Sequence, residues 1–129
     1  MQAAQLDHFR MYADSDGESH FQDLTFAFQP VDATLGRTLP RATTEIVFNR
    51  VTASPRLASW HHAPRRQYVI VLSGEFELEV SDGSVRTVRP RPGSTYLVED
   101  VWGKGHCMRV PDQVEACIAF VPLQQTPDQ

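Results

Sequence analysis

The chain lacks most of the features that mark specialised classes of protein. Its 129 residues contain no apolar run near the ~20 residues that a membrane-spanning helix requires, so we expect no membrane partner. Two cysteines, Cys107 and Cys117, are too few for the disulfide framework of a secreted domain, and we expect both to be free thiols. The N-terminus lacks the charged and then apolar pattern of a signal sequence, which makes the cytoplasm the expected location.

Positive charge is also scarce. The formal net charge is −4, and no basic stripe is present to neutralise phosphates, which argues against a nucleic-acid partner. The apolar share of 41% and the charged share of 22% are those of an ordinary globular protein. The length is a common one for a single domain with its own core.

A succession of short β-type segments is what the chain does contain, with no helical stretch longer than about two turns. Turn signals separate the segments, which indicates an all-β sandwich or barrel. The expected strands cover 24–28, 45–51, 67–73, 75–80, 85–89, 95–99, 106–110 and 114–121.

The centre of the chain is the most regular part. The apolar run from Gln67 to Ser73 predicts a strand that is covered on both faces. After Gly74, the alternation through Val80 places Phe76, Leu78 and Val80 inward. The sequence Ser-Asp-Gly-Ser at 81–84 predicts a hairpin turn, because glycine accepts the positive φ that such turns need. We expect one domain, with a loosely ordered or edge segment over 1–20, a barrel over 21–121 and a tail over 122–129.

Five histidines are the first candidates for chemistry. We expect His8 and His20 to be structural or solvated, as most isolated histidines are. His61, His62 and His106 lie at strand starts, where inward side chains of a closing barrel can converge, and neutral imidazole binds Zn, Fe, Ni, Cu or Mn. Of the adjacent pair, we favour His62 as the inward member. Pro64 interrupts the hydrogen-bond ladder of the strand, so His61 remains an alternative inward residue.

These motifs carry a resemblance. The run from Trp60 through Gln67 to Gly74 is similar to the first motif of the cupins, and Pro92-Gly93 followed by Gly103-Lys104-Gly105-His106 resembles the second. The resemblance covers about 45–121 and implies a cupin jelly-roll β-barrel, the double-stranded β-helix. It also implies one metal, held by two histidines and a glutamate of the first motif and by the histidine of the second.

Two of the implied ligand positions differ in this chain. Counted back from Gly74, Trp60 and Gln67 replace a histidine and the glutamate, while His62 and His106 match. The chain also resembles small cupins of unassigned function that carry W-H-x-A-P-x-R-Q and D-x-x-G-K-G-H, and in that alignment His61 is the matching histidine. The expected ligands of a divalent metal (Fe, Ni, Mn or Zn) are therefore His61 or His62, His106 and, more weakly, Gln67.

Other residues complete the expected site. Asp100 can serve as a general base or as a carboxylate partner of His106, and Lys104 between two glycines can reach an anionic ligand. The alternatives are that Asp100 belongs to an exposed acidic turn and that Lys104 is a solvated loop lysine. The expected pocket lining is aromatic and sulfur-containing, a surface on which planar ligands stack: Trp60, Tyr68, Tyr96, Trp102 and Met108.

Two functions follow as hypotheses. The first is a metal-dependent cupin acting on a small polar or aromatic molecule, with oxygenase, isomerase and lyase chemistry all open. The second is a non-catalytic module that binds a small molecule without metal, which the replacements at Trp60 and Gln67 favour. With either function we expect a homodimer, because Phe26, Phe28, Ile46 and Phe48 are apolar enough to pack across a two-fold interface.

Overall fold

The computed structural model describes residues 5–91 and 94–125. In these residues the chain is all-β, with eleven strands and one short helix. The elements in chain order are β1 (Gln5–Ala13), β2 (Ser19–Ala27), β3 (Gln29–Pro30), β4 (Gly36–Arg37), β5 (Val47–Val51), α1 (Pro55–Ala58), β6 (Gln67–Ser73), β7 (Phe76–Val80), β8 (Val85–Val88), β9 (Thr95–Val98), β10 (His106–Arg109) and β11 (Ala116–Pro122). Pro92 and Gly93 of the second motif lie outside the described residues.

The strands form two main sheets. The larger has six strands in the order β2-β1-β9-β6-β11-β5, and the smaller has three in the order β10-β7-β8. Their pairs are antiparallel except for β1 and β9, which run parallel. A two-stranded ribbon of β3 and β4 completes the fold. Among the described residues these sheets are separate hydrogen-bonded units and do not close into one barrel.

Apolar side chains of the two main sheets meet in one core. Phe76, Leu78 and Val80 of β7 are fully buried, as their alternation predicted. The Phe76 ring meets the Tyr96 ring of β9 edge-on, with centroids 6.4 Å apart, and Tyr96 stacks in turn on Phe9 of β1 at 5.3 Å. Aromatic packing of this kind adds to the free energy gained by burying the rings. It fixes the two sheets relative to each other.

The predicted strands from 67 onward agree with the structure to within two residues at their ends. The hairpin at 81–84 is also confirmed, since Gly83 has a φ of +95° between β7 and β8. The ends of the chain differ from expectation. β1 lies inside the six-stranded sheet between β2 and β9, and Leu123 beyond β11 is buried and bridged to Thr43.

The strand β6 also differs from its prediction. Its inward residues Gln67, Val69 and Val71 are buried, but the other face is only partly covered, and Leu72 is 51% exposed. The apolar run therefore reflects a sheet with one buried face and one partly open face.

In the part of the chain that the structure describes, no helix is long and apolar enough to cross a membrane. Cys107 and Cys117 are both free thiols, as predicted.

Candidate functional site

A β-bridge between His61 and His106 joins two segments that are far apart in the chain. The His61 N–H donates to the His106 carbonyl oxygen at 3.0 Å, and the His106 N–H donates back to the His61 carbonyl oxygen at 2.9 Å. Their rings are neighbours, with centroids 4.8 Å apart and an interplanar angle of 57°. The structure therefore brings together two of the histidines that the sequence singled out.

Gly105 makes this close approach possible. Its φ is +76°, and a Cβ built on it would overlap the carbonyl oxygen of His61. Only glycine combines this left-handed backbone with the absence of a side chain. The glycine before His106 thus determines how near the two imidazoles can come.

Asp100 orients His106 from inside the protein. The His106 Nδ1–H donates to Asp100 Oδ2 at 2.5 Å, and Asp100 is fully buried. The second oxygen, Oδ1, is buried with no hydrogen-bond partner among the described residues. A carboxylate buried in this way is stabilised by positive charge on its partner, either a protonated imidazole or an imidazole that binds a cation.

Both imidazoles keep one nitrogen without an assigned role. The Nδ1–H of His61 donates to the carbonyl oxygen of Ser59 at 2.7 Å, and Nδ1 of His106 is engaged by Asp100. Fixing Nδ1 as the donor selects the tautomer whose Nε2 carries the lone pair. Each ring can therefore offer Nε2 to a metal or to a proton.

Gln67 and Met108 lie on the core-facing sides of their strands. Gln67 begins β6 opposite Val98 and is buried, and Met108 on β10 lies opposite Leu78 and is also buried. His106 begins β10 two residues before Met108, so it shares that face. These positions agree with the inward direction expected for all three side chains.

His62 and Trp60 flank His61 in the chain. His62 is exposed, and its Nδ1–H donates to the carbonyl oxygen of Ala63 at 3.1 Å. The ring contact therefore involves His61, the alternative that the sequence left open beside His62.

The other expected lining residues lie in different environments. Tyr68 is on the outer face of the six-stranded sheet, where its hydroxyl oxygen accepts a hydrogen bond from Arg41 Nη1 at 3.1 Å, so it does not line the interior. Tyr96 is core packing, and burial raises the pKa of its hydroxyl far above the ordinary value. Trp102 is half exposed in the loop before Gly103, and Trp60 is also half exposed.

Lys104 is ion-paired in the structure. Its Nζ lies 2.7 Å from Glu18 Oε2, and this hydrogen bond raises the pKa of the ammonium group. The lysine is therefore held toward the β1–β2 turn. Its expected role with an anionic ligand would require this pair to open.

The available donor atoms partly suit a dication of intermediate hardness. Two imidazole nitrogens, one oriented by a buried carboxylate, are good ligands for Zn, Ni or Fe, and the amide oxygen of Gln67 is a weaker one. No group of three or more His, Cys, Asp or Glu side chains in the described residues is arranged to hold a metal. A metal at this position would therefore have to be held by two histidines and by neutral oxygen donors.

Ser19 is a contributor that the sequence did not reveal. It is fully buried, and its hydroxyl donates to the carbonyl oxygen of Gly105 at 2.5 Å, one residue before His106. Nothing in the local sequence distinguishes it from an exposed serine, because its partner lies far along the chain. Its neighbour His20, which we expected to be structural or solvated, lies between the carboxylates of Asp14 and Asp82.

We predict that Gly105→Ala breaks the bridge between the two histidines. Gly83 provides a matched control, since it also has positive φ but no atom near its would-be Cβ. Gly83→Ala should cost only the backbone strain, about 1–2 kcal/mol. Gly105→Ala should cost more than the roughly 3 kcal/mol that bounds most point substitutions. Urea denaturation measures both, and equal losses would contradict the close contact at Gly105.

No family model matches this chain, and no curated protein matches it.

Proposed function

We propose that this protein is a small cupin that binds a divalent metal and a small molecule at the His61–His106 bridge. The observation that carries the proposal is the pair of adjacent imidazoles, one of them held by the buried carboxylate of Asp100. The jelly-roll assignment is supported by two facing β-sheets over one core and by the match of the two motifs to the cupin pattern.

His61 and His106 would hold the metal through Nε2, and Gln67 would contribute its amide oxygen directly or through water. A dication at this position supplies Lewis-acid polarisation of an oxygen on the bound molecule. Asp100 fixes the His106 tautomer and the orientation of its ring. The exposed position of His61 leaves this end of the protein accessible to solvent, so a small molecule can reach the pair.

The reaction classes that this arrangement suits are oxygenation, isomerisation and lyase chemistry. An imidazole-bound metal that accepts a substrate oxygen can support each of them without a strongly anionic ligand set. Trp60 and Trp102 are each half exposed and are candidates to stack on a planar substrate. We therefore propose a small polar or aromatic molecule as the substrate class.

The metal proposal predicts different results for adjacent histidines. One Ni²⁺ or Zn²⁺ per chain should bind the wild-type protein, and His61→Ala and His106→Ala should lose it. His62→Ala is the matched control and should bind as the wild type does. Asp100→Asn should weaken binding by about 10–100-fold, because it removes the carboxylate behind His106.

Isothermal titration calorimetry and elemental analysis provide the measurement, with circular dichroism as a check on folding. If His62→Ala loses the metal and His61→Ala keeps it, the inward histidine has been assigned wrongly. If the wild-type protein binds none of Fe, Ni, Mn and Zn, the metal proposal fails.

The alternative function is a module that binds a small molecule without metal. It is favoured by Gln67, which offers a neutral amide where the cupin motif has a carboxylate and so suits a hydrogen-bonded organic ligand. A thermal-shift screen in the presence of a chelator tests it. Stabilisation by organic compounds that persists with chelator and is lost in Gln67→Ala would support this alternative, and dependence on added metal would reject it.

We also propose that the protein is a cytoplasmic homodimer. The two free cysteines suit a reducing compartment. The outer face of the six-stranded sheet presents apolar side chains to solvent, including Phe48 at 67%, Ile46 at 56% and Leu72 at 51% exposure. Phe26 lies on the same face and stacks on His8 with centroids 4.0 Å apart. Exposed apolar side chains at this density are typical of a protein interface.

The dimer proposal predicts that Phe48→Lys yields a monomer. A charge placed in the centre of an apolar interface cannot be solvated when the two copies associate. Val85→Lys is the control, because Val85 is 47% exposed on the other sheet and should leave the dimer intact. Light scattering measures the mass, and a wild-type mass of one protomer would reject the proposal.

A further inference from the structure

The loop that leads to His106 rests on the turn between β1 and β2. The Lys104 N–H donates to the carbonyl oxygen of Gly17 at 2.8 Å, and a Cβ on Gly103 would overlap the Gly17 backbone. The ion pair between Lys104 and Glu18 adds a second contact. The position of residues 103–105 therefore depends on the position of residues 14–18.

Ser19 ties the same loop to the turn between β7 and β8. While its hydroxyl donates to the carbonyl oxygen of Gly105, the Ser81 N–H donates to that hydroxyl oxygen at 2.7 Å. In return the Ser19 N–H donates to the Ser81 hydroxyl oxygen at 2.7 Å. Two turns and one loop thus share a single buried hydrogen-bond network, and such networks are costly to leave partly unsatisfied.

His20 lies next to Ser19 and joins the two turns by charge. Its Nε2 is 2.7 Å from Asp14 Oδ2, and its Nδ1 is 2.8 Å from Asp82 Oδ2. An ionised carboxylate only accepts hydrogen bonds, so both ring nitrogens must donate and the ring is an imidazolium. The hydrogen bond to Asp14, followed by that to Asp82, raises the pKa of His20 above its ordinary value.

Asp14 transmits this contact to the loop. Its other oxygen, Oδ1, accepts hydrogen bonds from the backbone N–H groups of Asp16 and Glu18 at 2.9 and 3.1 Å. These bonds shape the turn whose Gly17 carbonyl receives Lys104. The carboxylate that binds His20 therefore also sets the surface on which the loop rests.

The surroundings of His20 contain few positive charges. From β1 the Tyr12 ring lies 5.4 Å from the imidazole, and the Arg10 guanidinium lies over the Tyr12 ring at 4.2 Å. Within the β1–β2 turn Asp14, Asp16 and Glu18 are acidic, with Lys104 paired to Glu18. From the β7–β8 turn Asp82 faces the ring. When His20 is neutral, the carboxylates of Asp14 and Asp82 face each other across an uncharged ring and repel.

We propose that His20 is a positioning residue: its protonated ring clamps the β1–β2 and β7–β8 turns together and thereby fixes the loop that places His106 beside His61. The consequence for the site rests on the proposed role of His106, but the movement of the loop does not require a metal. Since the folded protein favours the protonated ring, the clamp is complete below the unfolded pKa of histidine. It is lost as the pH rises through the raised pKa of His20.

The first test follows the loop in the metal-free protein by NMR. The hydrogen-exchange protection of the Lys104 amide should fall as the pH rises, with the same midpoint as the His20 ring. In Asp82→Asn this midpoint should move down by at least about half a pH unit, because one of two carboxylate partners is gone. Asp32→Asn is the matched control. Like Asp82, Asp32 accepts a hydrogen bond from the backbone N–H two residues later, but it lies in the β3–β4 turn.

His20→Gln should remove the pH dependence of Lys104 protection and leave the loop weakly protected throughout. If His20→Gln does not fold, Asp82→Asn still tests the proposal, because in that variant the His20 ring keeps Asp14 as its partner. Protection that is independent of His20 titration, or an equal midpoint in wild type and Asp82→Asn, would overturn the proposal.

A second measurement connects the clamp to the site. Histidine ligands bind metal more tightly as the pH rises, because they lose their protons. With the clamp, the affinity of the wild-type protein for Ni²⁺ should pass through a maximum and fall as His20 titrates. In His20→Gln it should rise steadily to a lower plateau. Identical profiles would overturn the link to the site, whereas an absence of Ni²⁺ binding with an intact loop titration would reject only the metal proposal.

Discussion

The close contact between Gly105 and the backbone of His61 is the constraint on which the rest of the site depends. It allows two distant segments to share a β-bridge, and the bridge sets the imidazole rings 4.8 Å apart. A side chain at Gly105 would separate the segments before any question of ligands arose. The buried hydrogen bond from Ser19 to the Gly105 carbonyl then holds this peptide from the other side.

Two adjacent acidic residues show how strand alternation divides roles. Glu99 points to the outer face of the six-stranded sheet, where Arg10 and Arg66 both bind its carboxylate. The Asp100 carboxylate points inward, and His106 is its only hydrogen-bond partner among the described residues. The outer carboxylate is therefore neutralised by fixed positive charge. The inner one depends on a single imidazole, whose ring it holds in one orientation.

The strands from residue 67 onward could be predicted because each is an apolar or alternating run next to a turn that contains glycine or proline. Which of His61 and His62 faces inward stayed open at the level of the sequence. His61 bridges to β10 of the three-stranded sheet, whereas Gln67 belongs to the six-stranded sheet. Strand alternation cannot be carried from one residue to the other when the chain changes sheets between them. The place of β1 in the sheet could not be predicted because one of its partners, β9, lies far along the chain.

The absence of charge on Gln67 explains why the surroundings of His106 matter so much for the proposed metal site. A carboxylate at that position would attract a dication by itself, and small movements of the loop would have little effect on binding. With a neutral amide, the site depends on the geometry of two imidazoles and on one buried carboxylate behind them. Geometry in turn depends on the turns that hold the loop, and those turns meet at His20. In the proposed metal site, a group that never touches the ligand would therefore control binding, because the proposed direct ligands supply so little charge of their own.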